Sequence, residues 1–220
     1  ISIKLLRRVA LAAVFTGVSC FALSGVAHAD GTLRIDRVSG TYSGSGGEFR
    51  IRSYTPDVGD ETADAFATPV LAASDVTGSD FQTFCVERDE NLQNNTHSYV
   101  IATESMKANG TTNDLVAGTA YLFEQFWFGL LNDYDYTVGS GRAADAGELQ
   151  KAIWFLQGYT NDYATDAIAY AANVFVKDAV DHVVGSVYST TNIGAVRILQ
   201  LTGANGNASQ DQLIILESPD

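Results

Sequence analysis

The sequence predicts an α+β fold, in which N- and C-terminal strands form a β-sandwich or barrel-like sheet and about three helices are inserted between them. The prediction depends on period-two alternation near the start of the chain, apolar patterns of helical period in the middle, and a return to strand patterns at the end. Strands that flank a helical stretch commonly share a sheet. A chain of 220 residues, 46% of them hydrophobic, is long enough for one such domain.

Strand-like segments come first. Leu33 to Val38 alternates apolar and polar residues, and Glu48 to Arg52 does so again. The stretch Gly40 to Gly47, rich in Gly and Ser, predicts a turn, so we expect these two segments to pair as a hairpin. Phe81 to Val86 and Tyr99 to Ala102 are further predicted strands.

Helical patterns occupy the middle of the chain. Leu115 to Leu131 is apolar on nearly all faces, which predicts a well-buried helix. Ala143 to Tyr159 and Asp166 to Val184 carry apolar residues at helical spacing and are the second and third predicted helices. The chain then returns to strand patterns in Ala195 to Leu201 and Leu213 to Leu216.

The charge of the chain excludes some partners. Twenty-six acidic residues against 13 basic ones give a net charge of −13. Nucleic-acid binding needs clustered Lys and Arg, so the sequence predicts no nucleic-acid partner. Anionic membrane surfaces are disfavoured for the same reason.

The N-terminal segment has the pattern of a secretory signal peptide. A basic start that ends at Arg8 is followed by an apolar run from Val9 to Val26, and then by Ala27 to Ala29, an A-x-A-type cleavage site. A membrane anchor is the alternative, but Gly and Ser residues interrupt the run. We therefore predict a signal peptide over residues 1–29, export to the cell surface or beyond, and one domain over residues 30–220.

Cleavage would leave a single cysteine. Cys20 lies within the predicted signal peptide, so Cys85 is the only cysteine of the mature chain. An unpaired cysteine in an exported protein suggests an intermolecular disulfide, a reactive thiol or another covalent use. A buried, inert thiol is the alternative, because free cysteine packs like a small hydrophobe.

Familiar catalytic motifs are scarce. The mature chain has two histidines, His97 and His182, with no spacing that suggests a zinc site. A hydrolase would need a carboxylate pair in a cleft, for which Asp89 and Glu90 are adjacent candidates.

The prediction is no metal and no cofactor, with calcium as the alternative. Acidic residues cluster in two places, and neither place has the spacing of an EF-hand. The first cluster consists of Asp57, Asp60 and Glu61, and the second is the segment Asn132 to Asp135.

Two segments carry the functional prediction. The strand Phe81 to Glu87 presents Cys85, and the apolar helix segment Leu149 to Phe155 presents Gln150. They resemble the two motifs of the thioester domains of bacterial surface adhesins, an aromatic residue followed by Cys and a Gln-x-Ala-Ile-Trp-like helix. The resemblance implies a covalent bond between the Cys85 sulfur and the Gln150 side chain.

A second resemblance covers most of the mature chain, to secreted Gram-negative proteins sorted by exosortase (PEP-CTERM proteins). It implies a protein of the cell surface or extracellular matrix. The similar motifs are Phe84 to Glu87, Ala120 to Phe123, the Gln150 helix, Val196 to Leu199 and Gln210 to Leu213.

The implied chemistry suits these residue types. A cysteine thiolate is a strong nucleophile, and when held against a carboxamide it can expel ammonia and leave a thioester. Because amides are poor electrophiles, preorganisation must supply most of the rate. The thioester must also be shielded from water. The residues proposed to shield or support it are Phe84, Glu87, Tyr121, Phe126, Ala152 and Trp154.

The functional prediction is therefore covalent attachment. A thioester that meets a surface amine gives a stable amide and a free thiol, which is single use and not enzymatic turnover. The expected partner is a surface amine or an extracellular polymer, and the internal amines that compete are Lys107, Lys151 and Lys177. The alternative is a structural or carbohydrate-associated matrix protein of the same fold, in which Gln150 only hydrogen-bonds the Cys85 strand. A dimer linked through a Cys85 disulfide is a variant of that alternative.

Overall fold

The computed structural model describes residues 29–43, 46–56, 80–92, 96–159 and 166–216. These residues form eight strands and four helices. The elements are β1 (Gly31–Ser43), β2 (Gly46–Pro56), β3 (Phe81–Thr83), β4 (Thr96–Ala102), β5 (Glu104–Met106), β6 (Thr112–Asp114), α1 (Ala117–Trp127), α2 (Ser140–Leu156), α3 (Asp166–Ala172), α4 (Val174–His182), β7 (Val196–Gly203) and β8 (Ala208–Ile215).

Six of the strands form one antiparallel sheet in the order β3-β2-β1-β4-β7-β8. The hairpin predicted near the start is confirmed, since β1 pairs with β2 and Ile35 lies opposite Ile51. Strand β4 pairs with β1 on one side and β7 on the other, which joins the N- and C-terminal strands. The α+β prediction with a shared sheet is therefore confirmed.

The chain after β3 joins the two edges of this sheet. The Leu213 N–H donates to the Phe84 carbonyl at 3.1 Å, and the Val86 N–H donates to the Asp211 carbonyl at 3.0 Å. Cys85 lies opposite Gln212 in the same antiparallel pairing. The sheet thus closes on itself, so the arrangement is the barrel-like one of the two predicted forms. Closure also removes the unpaired edges at which sheets associate.

The helices cover one side of this sheet. Helix α2 packs across β1 and β2, and α1 contacts both α2 and α4. Leu149 and Ile153 of α2 are fully buried, and Gly46 of β2 lies so close to α2 that a Cβ atom on it would be 2.5 Å from Gln150 Cγ. This contact places the middle of α2 directly over the start of β2.

The third predicted helix, over residues 166–184, is in fact two helices. Asn173 separates α3 from α4 and has an extended backbone, with φ −128° and ψ 115°. Its side-chain oxygen accepts hydrogen bonds from the Phe175 and Val176 N–H groups, so it caps α4. Its amide nitrogen donates to the Glu148 carbonyl of α2 at 2.9 Å. The apolar periodicity predicted one helix because it continues unchanged across the cap.

Replacing Asn173 with alanine is expected to lower the free energy of unfolding by about 1–2 kcal/mol, through loss of the cap and of a buried hydrogen bond. Asn173→Ser is the matched control, because a serine hydroxyl can still cap α4 while the amide donor to the Glu148 carbonyl and carboxylate is lost. Urea unfolding should rank the two variants with alanine the less stable. An equal loss in both would assign the whole effect to the Glu148 contact.

Helix α1 is shorter than its apolar pattern predicted. It ends at Trp127, whereas the apolar pattern predicts that it continues to Leu131. Gly129 has φ 71°, a left-handed conformation that ends the helix. The Leu130 N–H donates a hydrogen bond to the Gln125 carbonyl at 2.8 Å. Leu130 is consequently 62% exposed, so apolar character alone did not mark the helix end.

Two expectations fall on residues outside the described part of the chain. The predicted signal peptide lies there almost entirely, as do Asp57, Asp60 and Glu61. Within the described ranges, no helix has the length and apolar character needed to cross a membrane.

Candidate functional site

Cys85 and Gln150 are in direct contact. The Gln150 Oε1 atom lies 3.1 Å from the Cys85 sulfur and 3.2 Å from the Cys85 backbone nitrogen. The Gln150 Nε2 group donates to the Cys85 carbonyl at 2.7 Å. Because a backbone N–H only donates and a carbonyl only accepts, these partners fix which way the amide is turned. Both residues are 0% exposed.

The closing segment of the sheet explains this contact. The backbone groups of Phe84 and Val86 bond to β8, so those of Cys85 between them point the other way. A buried backbone N–H and C=O need partners. The Gln150 amide supplies both, and so takes the place of a neighbouring strand.

Gly46 makes room for the Gln150 side chain. The pairing of Phe49 with Thr83 would, if continued, bring Gly47 opposite Cys85, and Gln150 fills the gap between them. A Cβ atom on Gly46 would lie 2.5 Å from Gln150 Cγ and 3.2 Å from the Trp154 ring. The sequence predicted only a turn for this glycine-rich stretch and gave no signal that one glycine contacts α2.

The geometry approaches the one that nucleophilic attack requires. With a carbonyl bond of about 1.2 Å, the Gln150 Cδ atom lies within about 4.3 Å of the sulfur. Reacting atoms in a near-attack arrangement are about 3–3.5 Å apart, so a shift of about 1 Å suffices. The Cys85 N–H also points at Gln150 Oε1, where negative charge would develop during attack, and can stabilise it.

The Cys85 thiol is neutral in this environment. Burial raises the pKa of the thiol well above its usual value, and the charge of Glu87 raises it further. Interaction with the Trp154 indole opposes that rise in pKa. The Trp154 N–H has no hydrogen-bond partner of good geometry among the described residues. Attack on an amide therefore requires a group that removes the thiol proton.

Glu87 and Asp211 form a buried carboxyl pair next to Cys85. Glu87 is 0% exposed and Asp211 1% exposed. Burial, and then the charge of Glu87, raise the pKa of Asp211 to about 9. Burial also raises the pKa of Glu87. Two adjacent buried carboxylates repel each other, which opposes the ionisation of both members of the pair.

A β-bulge positions Asp211. Leu199 pairs with Gln212 and Leu201 with Ser209, so two residues of β8 face one residue of β7. The Asp211 carboxyl accepts from the Leu201 N–H at 2.7 Å and from the Met106 N–H of β5 at 2.8 Å. The Asp211 N–H in turn donates to Glu87 Oε2 at 2.7 Å. The bulge thus fixes both carboxyls near the Cys85 segment.

Of the residues predicted to shield or support the site, most lie close to it and one does not. Phe84 is buried against Phe126 of α1, with ring centroids 4.9 Å apart. Ala152 and Trp154 are buried on α2, and the Arg88 guanidinium lies 5.9 Å from the centre of the Trp154 ring. Tyr121 lies between α1 and α4.

The surroundings of Tyr121 explain that difference. Its hydroxyl donates to Asp178 at 3.1 Å, and its ring stacks on His182. Tyr121 is on the same helix as Phe126, but its side chain faces α4 and not the Cys85 segment.

The three lysines of the predicted mature chain have other contacts. Lys151 pairs with Glu148 at 2.6 Å and Lys177 pairs with Asp181. Lys107 lies 4.8 Å from the centre of the Tyr159 ring. Lys151 is the residue after Gln150, yet its ammonium is directed to the outer face of α2, since its side chain is 45% exposed.

A second buried polar cluster joins α2 to the sheet, and the sequence gave no sign of it. Arg142 of α2 donates to both oxygens of Glu48 on β2, at 2.7 and 2.9 Å. The Tyr134 hydroxyl and the Gln82 amide donate to the same carboxylate. Glu48 and Arg50 are the polar residues of the alternating β2 pattern, and both are buried. Both faces of β2 are therefore covered, since Phe49 and Ile51 on the other face are buried as well.

A separate polar cavity of about 300 Å³ lies where β7 turns into β8. The buried His97 ring lies 3.1 Å from the Ser209 hydroxyl at this cavity. The predicted carboxylate pair borders it together with several side-chain amides, a combination that suits ligands rich in hydroxyl groups. The carboxylates and amides concerned are Asp89, Glu90, Asn91, Asn205 and Asn207.

The second predicted calcium segment has structural contacts. Asn132 donates to Asp178 at 3.3 Å, and Asp135 accepts from the Thr137 N–H at 2.9 Å. In the part of the chain that the structure describes, no group of three or more His, Cys, Asp or Glu side chains is placed to hold a metal ion.

Comparison of the chain with models of known protein families, with curated protein sequences and with solved structures found no match.

Proposed function

We propose that this chain is a secreted bacterial surface or extracellular-matrix protein that attaches covalently to an amine through a thioester between Cys85 and Gln150. The observation that carries the proposal is the three-point contact of the Gln150 amide with the Cys85 N–H, carbonyl and sulfur. The contact is buried, which protects a thioester from hydrolysis. Because each molecule reacts once, the protein is not an enzyme.

Bond formation would proceed in one addition and one elimination. The Cys85 sulfur attacks Gln150 Cδ, the Cδ–Nε2 bond breaks, and the nitrogen leaves as ammonia with the former thiol proton. The Cys85 N–H stabilises the oxyanion, and the hydrogen bond from Nε2 to the Cys85 carbonyl holds the amide plane in place. An incoming amine then attacks the same carbon, forms an amide and returns the thiol.

The test is the intact mass of the mature protein, purified without amines. We expect a mass lower than the calculated one by one ammonia, and a gain of one methylamine after exposure to that amine. Cys85→Ala and Gln150→Glu should each show their full calculated masses and no gain. Gln125→Glu on α1 is the matched control for the second variant and should keep the ammonia deficit, since Gln125 lies outside the site.

Two results would contradict the proposal. One is a wild-type mass equal to the calculated value, with a Cys85 thiol that reacts once the protein is unfolded. The other is a mass that doubles under non-reducing conditions, which would indicate a disulfide dimer.

The second candidate is a non-covalent, carbohydrate-associated matrix protein of the same fold. The polar cavity where β7 turns into β8 favours it, because carboxylates and amides line that cavity. In this reading the Gln150 amide only completes the hydrogen bonds of the Cys85 segment. A full calculated mass, together with polysaccharide binding that Asn205→Ala weakens, would support it.

A further inference from the structure

Thioester formation in this site requires proton transfer without water. The thiol must lose a proton and the departing nitrogen must gain one. Cys85 and Gln150 are both 0% exposed, so bulk solvent does not reach either atom. A side chain within the core must therefore carry the proton.

Glu87 is a buried carboxylate close to Cys85 in the chain, and one of its oxygens is held by no backbone group. It is two residues beyond Cys85 and fully buried, and its charge acts on the Cys85 thiol. Its Oε2 atom accepts from the Asp211 N–H at 2.7 Å, whereas its Oε1 atom is buried with no hydrogen bond of good geometry among the described residues, and the nearby Ser105 hydroxyl lowers the pKa of the carboxyl. A buried carboxylate oxygen without a partner is costly, which points to a role in the chemistry.

Asp211 keeps Glu87 available as a base. Its own carboxyl is held by the Leu201 and Met106 N–H groups of two other strands. Both Asp211 oxygens are occupied by backbone N–H groups, so Glu87 is the member of the pair that has an oxygen open to the thiol proton.

We propose that Glu87 is the proton carrier of the Cys85–Gln150 reaction, an inference that rests on the proposed function. The Glu87 carboxylate takes the thiol proton while the sulfur electron pair forms the bond to Gln150 Cδ. The Cδ–Nε2 bond then breaks with its electrons on nitrogen, and Glu87 returns the proton to that nitrogen, so ammonia leaves and the carboxylate is restored.

Glu87 also transfers the proton when the thioester reacts with an amine, and the direction is then from nitrogen to sulfur. When an amine attacks Gln150 Cδ, Glu87 takes a proton from the amine nitrogen. It passes that proton to the departing Cys85 sulfur, which leaves a thiol and an amide. One buried carboxylate thus makes the thioester and later opens it, as microscopic reversibility requires.

The test measures how fast the thioester closes. Ammonium opens the bond to the Gln150 amide and the free thiol, and its removal by desalting starts closure, which intact mass follows over time. We expect wild type to close, Glu87→Gln to close at least about 100-fold more slowly, and Glu104→Gln on β5 to close at the wild-type rate. Far-UV circular dichroism and thermal unfolding establish that each variant is folded.

A second variant separates proton transfer from packing. Glu87→Asp keeps the carboxylate and loses one methylene, so its rate should lie between those of wild type and Glu87→Gln. Equal rates in wild type and Glu87→Gln would overturn the inference and leave the proposed function intact. Equal loss in the Asp and Gln variants would make Glu87 a packing residue and also overturn it. A wild-type protein that never loses ammonia would overturn the proposed function and this inference together.

Discussion

Replacing Arg142 with methionine is expected to lower the free energy of unfolding by about 3–5 kcal/mol. Arg142 is 1% exposed and donates to both oxygens of Glu48, which is 0% exposed. Removing the guanidinium leaves a carboxylate in the core with only the Tyr134 and Gln82 donors. The loss is measured by urea unfolding, followed by far-UV circular dichroism and by tryptophan fluorescence.

Two further variants test the reason for this loss. Arg34→Met on β1 is the surface control, because that side chain is 58% exposed, and it should change stability by no more than about 0.5 kcal/mol. The double variant Glu48→Gln/Arg142→Met should recover part of the loss, since it removes the unpaired charge. A loss below about 1 kcal/mol in Arg142→Met would mean that the pair contributes little to the docking of α2.

Replacing Gly46 with alanine is expected to slow thioester closure by about 100-fold, because a shift of about 1 Å in reacting atoms has that effect. The new Cβ would lie 2.5 Å from Gln150 Cγ and 3.0 Å from Gln150 Cβ, so the side chain or β2 must move. Overpacking of this kind also lowers stability by about 1–3 kcal/mol. The two measurements are closure after ammonium removal and urea unfolding.

Gly203→Ala at the end of β7 is the matched control for this substitution. Neither glycine has a φ in the left-handed region, so both changes test space and not backbone strain. At Gly203 the nearest atom is the end of the Asn205 side chain, 3.2 Å away, which can turn aside. Wild-type closure and wild-type stability in Gly46→Ala would show that α2 does not approach β2 as closely as this structure has it.

The Cys85–Gln150 contact is compatible with both proposed functions, and the reason is structural. The segment that closes the barrel presents one residue whose backbone faces away from β8. A glutamine amide satisfies that backbone and, in the same position, brings its carbonyl to the sulfur. The same hydrogen bonds would therefore hold Gln150 in place whether or not it reacts. The mass measurement distinguishes a Cys85–Gln150 pair that forms a thioester from one that does not.

The buried carboxyls separate the two interpretations more sharply. A structural Gln150 needs no charged neighbour, yet Glu87 and Asp211 are both buried beside Cys85, and one carboxylate oxygen has no partner in the described residues. Such an arrangement lowers stability, and a chemical role would account for its presence. The closure rate of Glu87→Gln is accordingly the most direct measurement of whether Glu87 has that role.

The sequence by itself determined the α+β class, the β1–β2 hairpin, the middle helices and the choice of Cys85 and Gln150. Each of these depends on neighbouring residues, since periodicity and short motifs are local properties of the chain. The break between α3 and α4 at Asn173 is also a local feature. The apolar periodicity did not predict it, because the apolar pattern continues unchanged across this capping residue.

Only the tertiary structure decided the closure of the sheet, the clearance at Gly46, and the pairing of Glu48 with Arg142 and of Glu87 with Asp211. Residues far apart in the sequence meet at all of these places, and the alternation in β2 does not by itself show that Glu48 is buried. Whether a charged side chain faces water or a partner depends on what covers the strand. Helix α2 covers the strand when it packs on the barrel. Each polar group buried there must then form a hydrogen bond or lower the stability of the fold.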